Sequence, residues 1–394
     1  MTPSMQYRPG AVRRRAIAVA GALLLAACSD ATGPASATAG APVTLAWNAK
    51  ARQLVSALRE SPLMASRAYA ALSVAQHDAI AAVDARIGLF DASRPDAHRI
   101  AIAAASRDVL SALYPVVASE VDAMFEGQRA SFGVDGTPVD VLARAEDAGA
   151  SVARAVMERV SRDGSDVVWD GEVPTGDGMW IGYTPQYPLW GAVRPWLMED
   201  GAQFRAPPPP ATSSAEFQAA LAEVRAIADG RNKEQYVIAL RWSDGLATYT
   251  PPGHWNEIAA GMLEDHRVSE SQAARILATL NMAMMDAMIA CWDSKFTYWL
   301  IRPWQADPEI TTLVAQPQHP SYPSGHSCAT GAATRVLGAF FLPQRPALEA
   351  MEREAGMSRV YAGLHYRFDV EAGRAIGRSV GELAIRLGPD GRSR

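Results

Sequence analysis

The stretch His-Pro-Ser-Tyr-Pro-Ser-Gly-His occupies residues 319–326, and a run of small, mostly apolar residues follows it from Ser327. Two prolines and a glycine ahead of such a run predict a loop that leads into the N-terminus of a helix. The free N–H groups of a first helical turn, together with the helix dipole, favour a bound oxyanion. Gly325 would let the backbone approach that anion, Ser324 would add a hydroxyl donor, and His326 could exchange a proton near neutral pH. The stretch therefore predicts an anion site with an acid–base group beside it.

Two other segments carry the charges that such a site needs. Lys295 and Arg302 lie about two helical turns apart, so their spacing predicts that both cations share one helix face. Arginine binds a phosphate-like dianion as a bidentate fork, and lysine binds it as a point charge. Downstream, Arg359 adds a third cation and His365 a second imidazole. Asp369 is placed to hold the other ring nitrogen of that histidine, and also to cap the helix that follows.

The three segments read K-x6-R-P, P-S-G-H and S-R-x5-H-x3-D, in this order, between residues 295 and 369. This pattern resembles the signature of the type 2 phosphatidic acid phosphatase (PAP2) superfamily. That superfamily contains the vanadium-dependent haloperoxidases, soluble bacterial acid phosphatases and membrane lipid phosphatases. The resemblance covers about the last quarter of the chain, and it implies an all-α helical bundle of the vanadium haloperoxidase/PAP2 type.

Resemblance to the haloperoxidases implies a vanadate cofactor, with hydrogen peroxide and a halide as substrates and a hypohalous species as product. His365 would coordinate the metal, Asp369 would orient His365, and His326 would act on the apical oxygen. His319 occupies the position that influences halide choice, and a histidine there resembles the bromide-oxidising type. The vanadate oxygens would be held by Lys295, Arg302, Ser324, Gly325 and Arg359.

The same residues leave a second reading open. In a soluble acid phosphatase of this superfamily, His365 would attack phosphorus and His326 would protonate the leaving oxygen of a phosphate monoester, without vanadate. The long helical region before the motifs resembles the haloperoxidases more than the compact acid phosphatases, so we expect a haloperoxidase. A binding lipoprotein without activity is a third reading, which the intact acid–base positions disfavour. Related haloperoxidases often form dimers, so the resemblance leaves a homodimer open.

The N-terminus predicts export. Arginines precede a short apolar run that ends in Leu-Ala-Ala-Cys at Cys28, so residues 1–27 resemble a bacterial lipoprotein signal peptide, with an ordinary signal peptide as the alternative. Cleavage would leave Cys28 as a lipidated N-terminus. Residues 28–43, rich in alanine, glycine, serine and proline, predict a flexible tether. We expect a protein that is lipid-anchored in the bacterial envelope, at the periplasm, outer membrane or cell surface.

Composition limits the partners. The 394-residue chain has a formal net charge of −5, which becomes −9 without residues 1–27, because these hold four arginines and no acid. Such an acidic protein is not expected to bind nucleic acid, and its contact with the membrane would be through the N-terminal lipid. No apolar run of 18 residues follows the signal, so we expect no transmembrane helix.

Apolar residues recur with helical spacing and no strand alternation is credible, which predicts an all-α fold. We divide the chain into an N-terminal helical region, 44–215, and a C-terminal catalytic region, 216–394. The first ends in an aromatic, proline-rich segment, 164–215, that would either roof the site or join two helical layers.

Local signals predict elements of the catalytic region. A capping box at Ser269 should start a long helix that runs to about Ile301 and stops before a proline. Further helices are expected at 345–358 and 370–387.

Three further residues, two cysteines and a histidine, are expected to have structural roles. Cys291 and Cys328 are expected to be buried and free, although an oxidising compartment would permit a disulfide. His254 could lie near the site, but its expected role is that of a turn histidine that bonds to backbone.

Overall fold

The computed structural model describes residues 40–87, 93–133 and 136–392, which belong to one compact unit. The expected signal peptide, residues 1–27, and the expected lipidation site, Cys28, lie outside the described residues.

Helices form the secondary structure of the described residues, which contain no strand beyond a single isolated antiparallel bridge. The fold is therefore all-α, as the sequence predicts. The α-helices are α1 (Pro42–Ala57), α2 (Pro62–Ile87), α3 (Arg94–Leu113), α4 (Ala118–Arg129), α5 (Val139–Val160), α6 (Ala215–Gly230), α7 (Lys233–Arg241), α8 (Thr250–Asp265), α9 (Glu270–Tyr298), α10 (Pro303–Ala306), α11 (Gly325–Phe340), α12 (Arg345–Tyr361) and α13 (Arg367–Leu387). Short 3-10 helices occur at Pro115–Val117, Trp190–Ala192, Leu342–Gln344 and Pro389–Gly391.

Helix α9 packs against helices from both the N-terminal and the C-terminal parts of the chain. Its neighbours include α2, α11 and α13, and every residue from Ile276 to Trp292 is buried. Methionine and alanine dominate this stretch, and methionine adapts its shape to irregular gaps in a core. Among the described residues, α9 is long and apolar enough to cross a membrane, but 94% of its apolar window is buried inside the protein. Helix α3 and the segment after it meet the same test only when taken together as a pair bent by 120°.

The N-terminal helices approach one another closely. Helix α1 begins at Pro42, inside the segment predicted to be a tether. Helices α2, α3 and α5 then pack together through small residues. A Cβ atom on Gly149 of α5 would lie 2.2 Å from the carbonyl oxygen of Ala101 in α3, so only glycine permits this crossing.

Glycines on α13 bring that helix against α11 in the same way. A Cβ atom on Gly373 would lie 2.6 Å from Ser324 O, and one on Gly377 would lie 2.2 Å from Cys328 O. The two helices therefore begin side by side, and Ser324 N donates to Asp369 O at 2.9 Å. This contact joins two of the three sequence motifs.

The aromatic segment between α5 and α6 is irregular, apart from one 3-10 turn, and it is fixed to α9. The buried carboxylate of Asp286 accepts the backbone N–H groups of Trp196, Leu197 and Met198 at 2.7–3.1 Å. Burial raises the pKa of Asp286 to about 6, and the three N–H donors oppose that rise. The segment thus packs as an aromatic belt along the central helix.

One predicted helix boundary is wrong, with a consequence for the site. Helix α9 ends at Tyr298 instead of Ile301, because Trp299 adopts a left-handed backbone conformation with φ +50°. Lys295 therefore lies in the last helical turn and Arg302 lies beyond it, in extended backbone. The prediction that the two cations share a helix face is wrong, and the chain reversal at Trp299 brings them together instead.

Two further boundaries differ near the third motif. Helix α12 continues to Tyr361 instead of ending at residue 358, so Arg359 is helical. Helix α13 begins at Arg367, which makes Asp369 its third residue instead of its cap. The carboxylate still satisfies the start of the helix, because it accepts Tyr366 N–H at 3.2 Å.

Candidate active site

The loop at 319–326 leads into α11 as the sequence predicts. Ser324 is the N-cap, and its hydroxyl oxygen accepts Ser327 N–H at 3.4 Å. Gly325 is the first helical residue, and a Cβ atom there would lie 3.1 Å from Cζ3 of Trp292. A side chain at this position would push the indole aside, so packing adds a second reason for the glycine. The N–H groups of this first turn have no acceptor inside the helix.

Lys295 holds the loop from α9. Its ammonium group is fully buried and donates to Pro320 O and Ser321 O, each at 2.8 Å, and also to Pro323 O. These three bonds engage all three ammonium protons. Lys295 therefore organises the loop through its backbone, and its charge acts on the site through space.

Arg302 links the first motif to both of the others. Its Nε donates to His319 O and its Nη2 to His319 Nδ1, both at 3.0 Å. Its Nη1 donates to Leu364 O at 2.9 Å and to His365 Nε2 at 3.0 Å. The ring of His319 also packs against Trp292, with centroids 4.9 Å apart. One guanidinium group thus positions two histidines.

Arg359 brings a third buried cation, and it is 1% exposed. Its Nη1 donates to Trp242 O, while its Nε is a buried donor without a hydrogen-bond partner among the described residues. A buried guanidinium N–H without an acceptor is costly, and a bound anion would satisfy it.

His365 is oriented by a buried carboxylate. Its Nδ1 lies 2.8 Å from Asp369 Oδ2, which also accepts the hydroxyl of Ser321 at 2.6 Å. Because a carboxylate only accepts and the Arg302 guanidinium only donates, the network places the proton of His365 on Nδ1 and its lone pair on Nε2. The structure thus presents a nucleophilic nitrogen at the centre of the cations.

Both motif histidines are neutral at ordinary pH. Burial lowers the pKa of His365 well below its usual value, and the nearby cations Arg302 and Lys295 lower it further. Burial and then Arg359 have the same effect on the pKa of His326, whose Nε2 lies 3.3 Å from Ser243 O. A neutral imidazole can accept a proton or donate a lone pair.

The site carries excess positive charge. Burial lowers the pKa of Lys295 to about 8, that of Arg302 to about 9 and that of Arg359 to about 10, so all three are predominantly protonated at pH 7. Burial raises the pKa of Asp369 to about 6, so this carboxylate is ionised at the same pH. Three buried cations then face one carboxylate, and a dianion would balance them.

The described residues contain no cluster of three His, Cys, Asp or Glu side chains that could hold a metal ion. Asp369 orients one imidazole nitrogen, His365 Nε2, among the cationic donors of the site. This arrangement fits a compact oxyanion whose central atom accepts a single nitrogen ligand.

The structure adds residues that the sequence reasoning missed. Ser321 bonds to the carboxylate that orients His365, and its presence in the proline-rich loop was an available signal. Trp292 packs under the loop, and its position one helical turn before Lys295 was another signal. Trp242 had none, because it comes from a distant part of the chain.

The two cysteines are buried and free, as predicted, and Cys291 Sγ lies 3.7 Å from Pro323 O behind the loop. The prediction for His254 is wrong. Instead of bonding to backbone, its Nδ1 pairs with Asp244 Oδ2 at 3.1 Å.

Comparison with known proteins agrees with this geometry. Residues 276–392 match the PAP2 superfamily. Two curated relatives from strains of Mycobacterium tuberculosis, both decaprenylphosphoryl-5-phosphoribose phosphatases, are 36% identical over 91 residues. That stretch is 23% of this chain and 50% of theirs, so the chain spans about half the length of these curated relatives.

The fold is similar to solved structures over nearly the whole chain. A bacterial vanadium-dependent iodoperoxidase aligns with a TM-score of 0.74 and 24% identity, over 90% of this chain and 97% of that one. A holo-type bacterial vanadium-dependent chloroperoxidase aligns with a TM-score of 0.71 and 15% identity, over 90% of this chain and 98% of that one. Residues 276–392 therefore match the PAP2 superfamily, and the chain has the all-α fold of the vanadium-dependent haloperoxidases.

Proposed function

We propose that this protein is a vanadate-dependent haloperoxidase that uses hydrogen peroxide to oxidise a halide, with bromide preferred, to a hypohalous species. The observation that carries the proposal is the lone pair of His365 Nε2, held by Asp369 among three buried cations. The fold supports a peroxidase over a phosphatase, since two solved structures that align over 90% of the chain are vanadium-dependent peroxidases.

The residues present fit vanadate. His365 Nε2 would be the nitrogen ligand. The Nε of Arg359, which has no partner among the described residues, and the hydroxyl of Ser324 would be donors for the vanadate oxygens. Arg302 Nη1 now bonds to that imidazole, and we expect it to turn to a charged oxygen, which accepts a stronger hydrogen bond than a neutral ring nitrogen does. When bound, vanadate would supply a Lewis acid that makes peroxide oxygen electrophilic towards halide.

His326 is the proton acceptor in this proposal. Burial and Arg359 keep it neutral, so it can take the proton that hydrogen peroxide loses on binding. His319 is the residue that would influence halide choice, because Arg302 and Trp292 hold its ring beside the anion-binding loop.

A phosphatase is the second candidate, and the 36% identity to a mycobacterial phosphatase favours it. His365 Nε2 would form the bond to phosphorus as the ester P–O bond breaks, and His326 would protonate the leaving oxygen. Water would then hydrolyse the phosphohistidine. The lowered pKa of His326 suits a proton acceptor better than a proton donor, although a bound dianion would raise it.

One divided preparation separates the two functions. Vanadate is added to one half of the purified full-length protein, and both halves are assayed for peroxide-dependent bromination and for hydrolysis of p-nitrophenyl phosphate. The proposal expects bromination only in the vanadate half, and a change in the ratio of bromide to iodide oxidation in His319→Phe. Phosphate ester hydrolysis that vanadate inhibits, without bromination, would establish the phosphatase instead.

A further inference from the structure

The segment 242–244, directly after α7, supports the site through its backbone. Trp242 O accepts a hydrogen bond from Arg359 Nη1, and Ser243 O lies 3.3 Å from His326 Nε2. Two consecutive carbonyl groups therefore position a cation and the acid–base histidine of the site. Trp242 and Ser243, which supply these carbonyl groups, lie outside the sequence motifs.

The side chain of His254 contacts both ends of this segment, Trp242 and Asp244. The Nδ1 of His254, in the first turn of α8, lies 3.1 Å from Oδ2 and 3.2 Å from Oδ1 of the buried Asp244. The ring of His254 also stacks on Trp242, with centroids 4.6 Å apart and planes inclined by 26°. One side chain thus contacts the residue before Ser243 and the residue after it.

The segment needs such support because the backbone is strained at its last residue, Asp244, and in the turn that follows. Asp244, Ala247 and Thr250 have φ values of +43°, +69° and +67°, in the left-handed region that residues with a Cβ rarely adopt. Residues 245–247 are exposed, so their own packing does not impose this course. Strained backbone persists only where surrounding contacts determine it, and His254 supplies two such contacts, with Asp244 and with Trp242.

We propose that His254 is a positioning residue: through Asp244 and Trp242 it fixes the carbonyl groups that hold His326 and Arg359 in place for the oxyanion. The inference rests on the anion site of the proposed function, but it holds for a vanadate cofactor and for a phosphate substrate alike. Among the described residues the hydrogen-bond partner of the His254 ring is Asp244, so we assign its effect to the segment.

The test is oxyanion binding by the full-length protein, measured by titration calorimetry with vanadate and, separately, with inorganic phosphate. His254→Phe keeps a ring against Trp242 but removes the bond to Asp244. His254→Asn places an amide N–H where Nδ1 was and keeps that bond. His266→Phe is the matched control, because His266 is exposed and bonds only to Gln344 among the described residues.

We expect His254→Phe to bind vanadate about 10- to 100-fold more weakly, the range typical of partners that orient a binding residue. His254→Asn should restore affinity to within about threefold of the wild type, and the control should match the wild type. The rescue separates positioning from mere filling of space, and circular dichroism checks the fold of each variant.

Wild-type affinity in a folded His254→Phe would overturn the inference. If that variant does not fold, His254→Asn decides: weak binding by a folded His254→Asn would also overturn it. If the wild-type protein binds neither vanadate nor phosphate, the anion site is refuted, and this inference is refuted with it. If the wild-type protein binds vanadate but hydrolyses phosphate esters, only the proposed activity is replaced.

Discussion

Replacing Lys295 with methionine should change how the affinity for sulfate depends on pH. Burial holds the pKa of Lys295 at about 8, against 10.5 for a free lysine. The difference corresponds to roughly 3 kcal/mol by which the protein without an anion disfavours the charged ammonium. A dianion reverses this preference, so anion binding and protonation of Lys295 are linked.

The sign follows from that linkage. Below pH 8 the ammonium is already charged, and affinity should be nearly constant. Above pH 8 the anion must bind together with a proton, so affinity should fall by about tenfold per pH unit. Without anion, the unfolded chain keeps the proton of Lys295 between pH 8 and 10.5 and the folded protein does not, so this residue makes the folded state more stable as pH rises.

The assay is calorimetric titration with sulfate between pH 6.5 and 9.5, as sulfate stays a dianion throughout this range. Lys295→Met should weaken binding at pH 7 by about 2 kcal/mol, or about 30-fold, and should lack the fall between pH 8 and 9, below the range in which Arg302, with a pKa of about 9, loses its proton. Cys291→Ala is the control for the thiol next to Lys295, and it should keep the fall. A fall of the same slope between pH 8 and 9 in Lys295→Met would refute the reasoning, since another group would then carry the titration.

Three further predictions concern the same region. His365→Ala should abolish vanadate binding and all turnover, because it removes the nitrogen lone pair that Asp369 orients among the cations. Full activity in the peroxidase and phosphatase assays would refute the assignment. Ser321→Ala removes the 2.6 Å bond to Asp369 and should lower the free energy of unfolding by about 1–3 kcal/mol, with about tenfold weaker vanadate binding; urea denaturation and calorimetry measure both effects. Gly377→Ala should destabilise the protein by about 1–3 kcal/mol or more, because the new Cβ would lie 2.2 Å from Cys328 O; an unchanged midpoint in thermal unfolding would contradict the close packing of α11 and α13.

Local sequence was enough to predict the helical fold and the start of α11. Two local signals, the capping box at Ser269 and the proline-rich loop before Gly325, depend on contacts between residues that are close in sequence. Such signals can be recognised from the sequence alone. The pairing of His365 with Asp369 was predictable for the same reason, because four residues bring both groups to one side of a turn. Chemistry that depends on residue type and short spacing is visible before folding.

Tertiary structure alone decided what each group of the site contacts. The spacing of Lys295 and Arg302 suggested a common helix face, but the left-handed Trp299 ends the helix between them. The ammonium group of Lys295 therefore donates its hydrogen bonds to loop carbonyl groups, and the guanidinium group of Arg302 donates to His365.

The support of His326 by segment 242–244 was invisible to the sequence, since Ser243 and His326 are 83 residues apart. The physical reason is that the direction of a side chain and its hydrogen-bond partners depend on which distant elements pack beside it. Residue types and short spacings therefore predicted an anion site, and only the packing of α7, α9, α11, α12 and α13 decided which donors remain free to bind an anion.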